Sequence, residues 1–290
     1  MPFLRENNGN WSPLKIAAFA GAIAPALWLL TRVAFGDLGA RPVTVALLFC
    51  GDWAVRFVLI SLAITPARRL FAAPRLIQAR RTLGVAAFFY ALCHFSLYVT
   101  DQMFDVQKVA SEIVLRFYLT IGFTTLIGLI ALGVTSTDAA VRRLKQRWGT
   151  LHRAVYVIAV LAVIHFMLQK KLDIYEPTWM AGLLFWLLSY RFVQKRMREV
   201  TVPALLALAF TSTLFTMLGE AAWYGVLTGV SPLRILAANF DPTMDVRPAW
   251  WVLLATVGIV FLHLAAKWLW PLPARPPRPA APQPELKPAE

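Results

Sequence analysis

Residues 151–170, LHRAVYVIAVLAVIHFMLQK, limit what this chain can fold into more than any other stretch. A run of about 20 apolar residues is long enough to cross a bilayer as a helix. This one also carries two histidines, His152 and His165. An ionisable side chain within the hydrocarbon layer is costly and marks a candidate functional site. The stretch therefore predicts a transmembrane helix that carries functional histidine.

The rest of the chain repeats the pattern of long apolar runs. The 290 residues are 59% hydrophobic and 15% charged, and the runs are continuous rather than alternating, which excludes a barrel. We predict an all-α, polytopic transmembrane helical bundle. In a soluble protein the net charge of +14 would suggest nucleic acid. Here the basic residues lie in short connections between spans, so we expect a lipid bilayer and no nucleic acid.

Most lysines and arginines fall in every second connection between spans, which predicts that both termini are cytoplasmic. The domains are expected to be a cytoplasmic tail, a six-helix core, two additional spans and a proline-rich disordered tail. Their bounds are 1–14, 15–199, 200–270 and 271–290. The eight spans are predicted at residues 15–33, 43–65, 82–100, 117–135, 151–170, 178–192, 202–226 and 249–270.

Two histidines lie at matching depths. His94 is about 12 residues into the third span, and His165 is about 14 residues into the fifth, which runs in the same direction. At about 1.5 Å per residue the two side chains lie at nearly the same level. Two imidazoles at one level on separate helices suit axial ligation of a haem iron, so we predict both as metal ligands. The alternative is that each is a core histidine bonded to a neighbouring helix.

Other polar residues in the spans have two interpretations each. His152, at the cytoplasmic boundary, is either part of an inner site or a solvated histidine. His263 is predicted to be a packed or snorkelling residue. Arg56 lies four residues after Asp52, so it either pairs with that carboxylate or faces a haem propionate. The two cysteines, Cys50 and Cys93, provide neither a disulfide framework nor a zinc motif.

Three segments resemble a known family: WAVRFVLISLAITPARRL, RRTLGVAAFFYALCHFSLY and RRLKQRWGTLHRAVYVIAVLAVIHF. Together they resemble the haem-binding membrane subunits of the periplasmic methionine sulfoxide reductase system, the MsrQ or YedZ type, within the ferric-reductase-like transmembrane superfamily. The resemblance implies haem b held by His94 and His165, with His152 also matching a family histidine. It implies a bacterial inner-membrane location and electrons taken from membrane quinone, with an associated flavin such as FMN. The electrons would pass to a periplasmic molybdenum-containing subunit, where the substrate chemistry takes place.

The chain departs from this family at two places. The last two spans extend beyond the family core, and Arg80 stands 14 residues before His94, where related oxidases have a second histidine. Because arginine is a poor metal ligand, we expect Arg80 to bind a propionate or a flavin phosphate beside His152. No dinucleotide-binding motif is present, so electrons must arrive from another molecule. The alternatives are a quinol-linked, ferric-reductase-like cytochrome b with another acceptor, and a non-redox transporter whose histidines handle protons.

Overall fold

The computed structural model describes residues 10–197 and 199–269, and these residues form twelve α-helices, one short 3-10 helix and no β-strand. The predicted all-α class is confirmed. Most of the amino-terminal tail and the tail predicted to be disordered lie outside the described residues. The eight long helices are α1 (Pro13–Ala34), α2 (Pro42–Leu70), α3 (Ile77–Asp101), α5 (Phe117–Val134), α8 (Val155–Lys170), α9 (Tyr175–Arg196), α10 (Val202–Thr228) and α12 (Pro248–Leu269).

Each of the eight predicted spans overlaps one long helix, and seven spans are long and apolar enough to cross a membrane. The exception is α9, which has 22 residues but includes Glu176, Arg191 and a basic last turn. Two of its charged side chains have partners inside the bundle, because Glu176 pairs with Arg56 of α2 and Arg191 donates to Leu62 O of the same helix.

Helices α10 and α12 pack along another part of the α9 surface. At Gly182 of α9 an added side chain would collide with Thr216 of α10 and Val252 of α12. The last helices thus cover the α9 surface that lipid would otherwise meet.

Four short helices lie at the ends of the bundle. We call the end that carries the α3–α5 and α8–α9 connections the α4 face, after α4 (Val106–Leu115), and the opposite end the α6 face, after α6 (Asp138–Leu144). On the α4 face, the Asp105 carboxylate caps α4 by accepting from the Lys108 backbone N–H at 2.9 Å. On the α6 face, the Thr137 hydroxyl caps α6 by accepting from Ala140 N–H at 3.1 Å. The short helices are α4 (Val106–Leu115), α6 (Asp138–Leu144), α7 (Gln146–His152) and α11 (Pro232–Ala238).

The core of the bundle consists of two helix pairs. Helices α2 and α3 pack closely along their lengths, as do α5 and α8, and the two pairs meet through contacts of α3 with α5 and of α2 with α8. Helix α1 lies against α3, and α9 lies against α8 and α2. The interior between the pairs is filled with apolar side chains such as Phe57, Ala87 and Ala159, each at most 2% exposed. Between the pairs, the same four helices enclose the candidate site.

The predicted fifth span is not one continuous helix. Helix α7 ends at His152 and α8 begins at Val155, with Arg153 and Ala154 between them. The intervening residues keep helical backbone angles, and Gln146–Lys170 is one candidate membrane span. His152 therefore lies on the same span as His165, as predicted, at the end of the short helix α7 on the α6 face.

Candidate functional site

The structure brings His94 of α3 and His165 of α8 together in the middle of the bundle. Their ring centroids are 6.4 Å apart, and the ring planes are inclined by 80°. This separation is too long for a direct hydrogen bond between the rings. It is the size expected when two metal–nitrogen bonds of about 2 Å each lie between the imidazoles. The pair therefore has the spacing of two ligands on opposite sides of one metal atom.

Backbone carbonyl groups fix both imidazoles in the same tautomer. His94 Nδ1 is 2.8 Å from the carbonyl oxygen of Leu47, and His165 Nδ1 is 2.8 Å from that of Tyr118. A carbonyl oxygen only accepts, so each Nδ1 must carry the proton and donate it. The lone pair then lies on Nε2, the atom that a metal would bind. Such a hydrogen bond from the second ring nitrogen is the usual support of a metal-ligating histidine.

Each imidazole lies against a glycine of the neighbouring helix. A Cβ added at Gly51 of α2 would come within 2.8 Å of His94 Nδ1, and one added at Gly122 of α5 would come within 2.7 Å of His165 Nδ1. Any side chain at either position would push the ring toward the centre of the bundle. The two glycines therefore form the cradle that sets the distance between the histidines.

The two halves of this site are copies of one arrangement. In each, a histidine bonds a carbonyl 47 residues earlier in the chain and lies over a glycine one turn beyond that carbonyl. The first half is Leu47, Gly51 and His94 on α2–α3. The second half is Tyr118, Gly122 and His165 on α5–α8. The sequence analysis did not detect this repeated spacing, although glycine and histidine are equally far apart in both halves.

A cavity of about 300 Å³ contains both histidines and is lined by α2, α3, α4, α5 and α8. Its middle is mostly apolar, with Asp52 beside Gly51 as the exception, and its α4-face end is polar, which suits a flat apolar cofactor with acidic groups on one edge. Two cations at this end, Arg116 and Lys170, were missed by the sequence analysis because they lie just before one predicted span and at the end of another and carry no motif. The polar residues of the lining include Asp52, Tyr98, Asp101, Gln102, Glu112, Arg116, Tyr118, Gln169 and Lys170.

Side-chain hydrogen bonds hold helix α4 over the polar end of this cavity. The Tyr98 hydroxyl donates to Glu112 Oε2 at 3.0 Å, and Arg116 donates to Glu112 Oε1 at 2.9 Å. Because Glu112 lies on α4 and Tyr98 lies on α3 one turn beyond His94, the carboxylate fastens α4 over the cavity. The hydrogen bonds also hold Arg116, which precedes α5, at the cavity edge.

Arg56 has a protein partner that the sequence analysis did not consider. Its guanidinium pairs with Glu176 of α9 and lies over the Trp53 ring at 5.0 Å, and no bond to Asp52 is present among the described residues. Asp52 itself lines the cavity, whereas the described lining does not include Arg56. The predicted pairing within α2 was wrong, and the geometry favours Arg116 and Lys170 over Arg56 for contact with acidic groups in this cavity.

A second cavity, of about 590 Å³, opens toward the α6 face beside His152. The His152 ring stacks on Trp148 with centroids 4.0 Å apart, and its Nε2 is 3.1 Å from the Thr135 hydroxyl. That hydroxyl donates to Ala131 O at 2.6 Å, so it accepts from Nε2 and leaves Nδ1 of His152 as the free lone pair. No second histidine is among the described residues of the lining, which include Arg80, Arg81, Gly84, Trp148, His152, Arg153 and Tyr156.

The second cavity has a cationic lining. Arg80, Arg81 and Arg153 contribute to it, and no carboxylate does among the described residues. Arg81 is also engaged outside the cavity, since it donates to Asp138 Oδ1 at 2.5 Å and thereby lowers the pKa of that exposed carboxyl. The structure places the predicted Arg80 and His152 in one cavity, which suits an anionic group held by charge and by one imidazole.

The remaining histidine and the two cysteines have structural roles. His263 is 5% exposed and donates from Nδ1 to Leu70 O at 2.7 Å, so the predicted packed role is confirmed. The sulfur atoms of Cys50 and Cys93 lie 3.5 Å apart as free thiols between α2 and α3. Within the described residues no three or more histidine, cysteine, aspartate or glutamate side chains cluster as a metal site. The two-histidine pair is therefore the strongest metal candidate there.

Comparison with known proteins assigns the chain to a family. Residues 50–163 match the family model described as ferric reductase like transmembrane component. A Rhodospirillum rubrum protein named protein-methionine-sulfoxide reductase heme-binding subunit MsrQ is 42% identical over 194 residues, which are 66% of this chain and 93% of that protein. The chain belongs to the MsrQ family. Two further MsrQ proteins, from Xanthomonas campestris pv. campestris and Agrobacterium fabrum, are 43% and 40% identical over 63% and 59% of this chain, and 87% and 80% of their own lengths.

MsrQ membership confirms the resemblance drawn from the three sequence segments. The region that matches the ferric-reductase-like model includes His94, His152 and Gly122 and ends two residues before His165. About a third of this chain lies outside its match to the Rhodospirillum MsrQ, although nearly all of that relative is matched. This MsrQ family member is therefore longer than that relative. No solved structure significantly matches the chain.

Proposed function

We propose that this chain binds haem b between His94 and His165 and passes electrons across the bacterial inner membrane to a periplasmic methionine sulfoxide reductase. The observation that carries the proposal is the matched pair of imidazoles. Both have Nδ1 bonded to a backbone carbonyl and lie 6.4 Å apart in an apolar cavity. The names of the MsrQ relatives, which specify a heme-binding subunit of a protein-methionine-sulfoxide reductase, support it.

The residues of the cavity would do four things for a bound haem. His94 and His165 would bind the iron, and Gly51 and Gly122 would let both rings approach it. Arg116 and Lys170 would attract the propionates to the α4-face end of the cavity. The apolar middle would exclude water and so favour electron transfer over reactions of the iron with solvent. When bound, the haem supplies a one-electron redox centre.

Electrons are proposed to come from membrane quinone, directly or through FMN, and to leave toward a molybdenum-containing catalytic subunit. The chain carries the electrons and the partner performs the substrate chemistry. The second cavity is the proposed entry site, where Arg80 would bind a propionate or flavin phosphate and His152 would supply one ligand. The structure favours this role because three arginines line that cavity and it lies at the opposite end from α4.

A visible spectrum tests the redox class against a transporter. Purified protein should show the paired α and β bands of a low-spin cytochrome b after reduction. Protein that is folded but has no such bands would instead favour the transporter whose histidines handle protons. A ferric-reductase-like function is tested by offering the reduced protein either ferric citrate or the purified reductase catalytic subunit. Faster oxidation by ferric citrate would contradict the proposed acceptor.

The His152→Ala variant is expected to keep the haem between His94 and His165 but to reduce it about tenfold more slowly with quinol or reduced flavin, because the variant loses the one ligand of the entry site. Stopped-flow absorbance at the haem bands measures the rate. Arg143→Ala, a change in the same basic segment at a residue outside both cavity linings, is the matched control. Wild-type haem stoichiometry together with a wild-type rate would mean that His152 is only an interfacial histidine.

The proposed orientation places the α4 face in the periplasm and both termini in the cytoplasm. Single cysteines introduced near Asp105 and Thr243 should then react with an impermeant maleimide added outside spheroplasts. Cysteines near Arg75, Lys145 and Glu285 should react only after lysis, because the excess of basic residues holds those segments inside. Each variant is made without Cys50 and Cys93, so that only the new thiol is measured. Outside labelling near Glu285 would mean that an odd number of helices crosses the membrane.

A further inference from the structure

The turn that follows α3 displays two apolar side chains. Met103 and Phe104 are 85% and 67% exposed. Their φ angles are +55° and +60°, in the left-handed region where non-glycine residues are uncommon. Glycine or asparagine would adopt this backbone more easily, so the turn keeps two large apolar residues at a conformational cost. Unusual backbone of this kind is often found at functional sites.

Backbone hydrogen bonds fix the turn. Met103 N–H donates to Thr100 O and Phe104 N–H donates to Val99 O, both at 2.9 Å. On its other side, Asp105 caps α4. The exposure of the two side chains therefore follows from a defined geometry rather than from a loose connection.

The turn lies at the mouth of the two-histidine cavity. Asp101 and Gln102, which precede it, line the cavity, and His94 lies on the same helix. Seven residues separate His94 from Asp101, which is about 10 Å of helix. The flanking Asp101 and Asp105 favour the aqueous side of the interface over the hydrocarbon. A molecule that bound the turn would thus contact the end of the cavity from which electrons would leave.

Met103 is also the most exposed methionine of the described residues. Met244, in the connection before α12, is 54% exposed, whereas Met180 is completely buried. An enzyme that reduces methionine sulfoxide in proteins must admit an exposed methionine sulfoxide side chain of another protein to its substrate site and release it as methionine. Met103 presents a methionine side chain where the electrons emerge.

We propose that the Met103–Phe104 turn is the docking point of the reductase catalytic subunit, with the Met103 side chain entering the substrate site of that subunit. The inference rests on the proposed function. Phe104 would provide adjoining apolar contact, as aromatic residues commonly do at interfaces. The Met103 thioether is the group that the reductase forms as its product. Because an enzyme must release its product, the reductase would bind this side chain weakly and release it readily. Transient contacts are typical of electron-transfer partners.

The test measures binding of the purified catalytic subunit to the haem-loaded protein in nanodiscs. Met103→Leu keeps the apolar volume but removes the sulfur, and it is expected to raise Kd about tenfold, as loss of one central contact does. Met244→Leu is the matched control and should leave Kd unchanged. Both variants should retain the wild-type haem spectrum, which separates a docking effect from damage to the cavity. Phe104→Ala should also weaken binding.

A second measurement uses dilute hypochlorous acid as a footprinting probe, with mass spectrometry of each methionine. Met103 should be oxidised in nanodiscs alone and protected when the catalytic subunit is added, while Met244 should be oxidised in both. Failure of Met103 to react without the subunit would mean that the turn is inserted in lipid, and it would overturn the proposal. Equal Kd values for wild type and Met103→Leu would also overturn it. Failure of the proposed function is distinct, because the haem-loaded wild type would then pass no electrons to the subunit.

Discussion

Replacing His94 or His165 by alanine is expected to abolish most of the bound haem. Each histidine would provide one of two axial bonds, and the described lining of this cavity contains no third histidine to replace either of them. Haem per protein, measured by the pyridine haemochrome method on purified protein, should fall at least about tenfold. Loss of a residue that only supports a metal ligand already lowers metal affinity by about tenfold, and loss of the ligand itself should cost more. Fluorescence size-exclusion chromatography should show that both variants still insert and fold.

His152→Ala is the control for these two variants, because it changes a histidine outside the paired site and should leave the haem between His94 and His165 in place. Normal haem content in both His94→Ala and His165→Ala would show that the two-histidine cavity is not the haem site. Loss in only one of them would mean that the other histidine is not an axial ligand.

The Gly51→Ala and Gly122→Ala variants are expected to lose low-spin haem almost as completely as the histidine variants. The new methyl groups would lie 2.8 Å from His94 Nδ1 and 2.7 Å from His165 Nδ1, closer than real Cβ contacts allow. Each ring must move, and its bond to Leu47 or Tyr118 must lengthen. The absorbance spectrum of the reduced protein should show loss of the sharp α band, with haem content reduced or the iron five-coordinate.

Gly21→Ala in α1 provides the matched control, because no atom lies within 4 Å of the Cβ that it would add. Alanine is a better helix former than glycine by about 1 kcal/mol, so this variant should be no less stable than wild type. An unchanged low-spin spectrum in Gly51→Ala and Gly122→Ala would show that the glycines do not set the position of the histidines.

The sequence predicted the parts of the fold that depend on hydropathy and chain length. Long continuous apolar runs predicted the helices, although helices such as α2 and α3 extend several residues beyond the predicted spans. Depth along the helix was enough to pair His94 with His165, because helical rise is constant and both helices run in the same direction. Helix α9 is less apolar than the other spans because its charged residues have partners inside the bundle, since Glu176 pairs with Arg56 and Arg191 donates to Leu62 O.

The rest of the site depends on groups that have no characteristic side chain. The carbonyls of Leu47 and Tyr118 hold the histidines, and every residue has a carbonyl. Gly51 and Gly122 resemble other helical glycines until the rings beside them are known. A search of the sequence for glycine and histidine at the same separation in two places would have found both halves of the site. Arg56 could not be assigned, because its partner Glu176 lies 120 residues away in the chain.

The repeated arrangement of carbonyl, glycine and histidine has a mechanical consequence. Each imidazole is oriented entirely by its own helix pair, α2–α3 or α5–α8, so the two pairs meet at the cavity as separate units. An iron atom bonded to both Nε2 atoms would be a cross-link between them at the middle of the bundle. Binding of the cofactor would therefore hold the two helix pairs together. In the protein without cofactor, we expect the contact between the two pairs to separate first on heating.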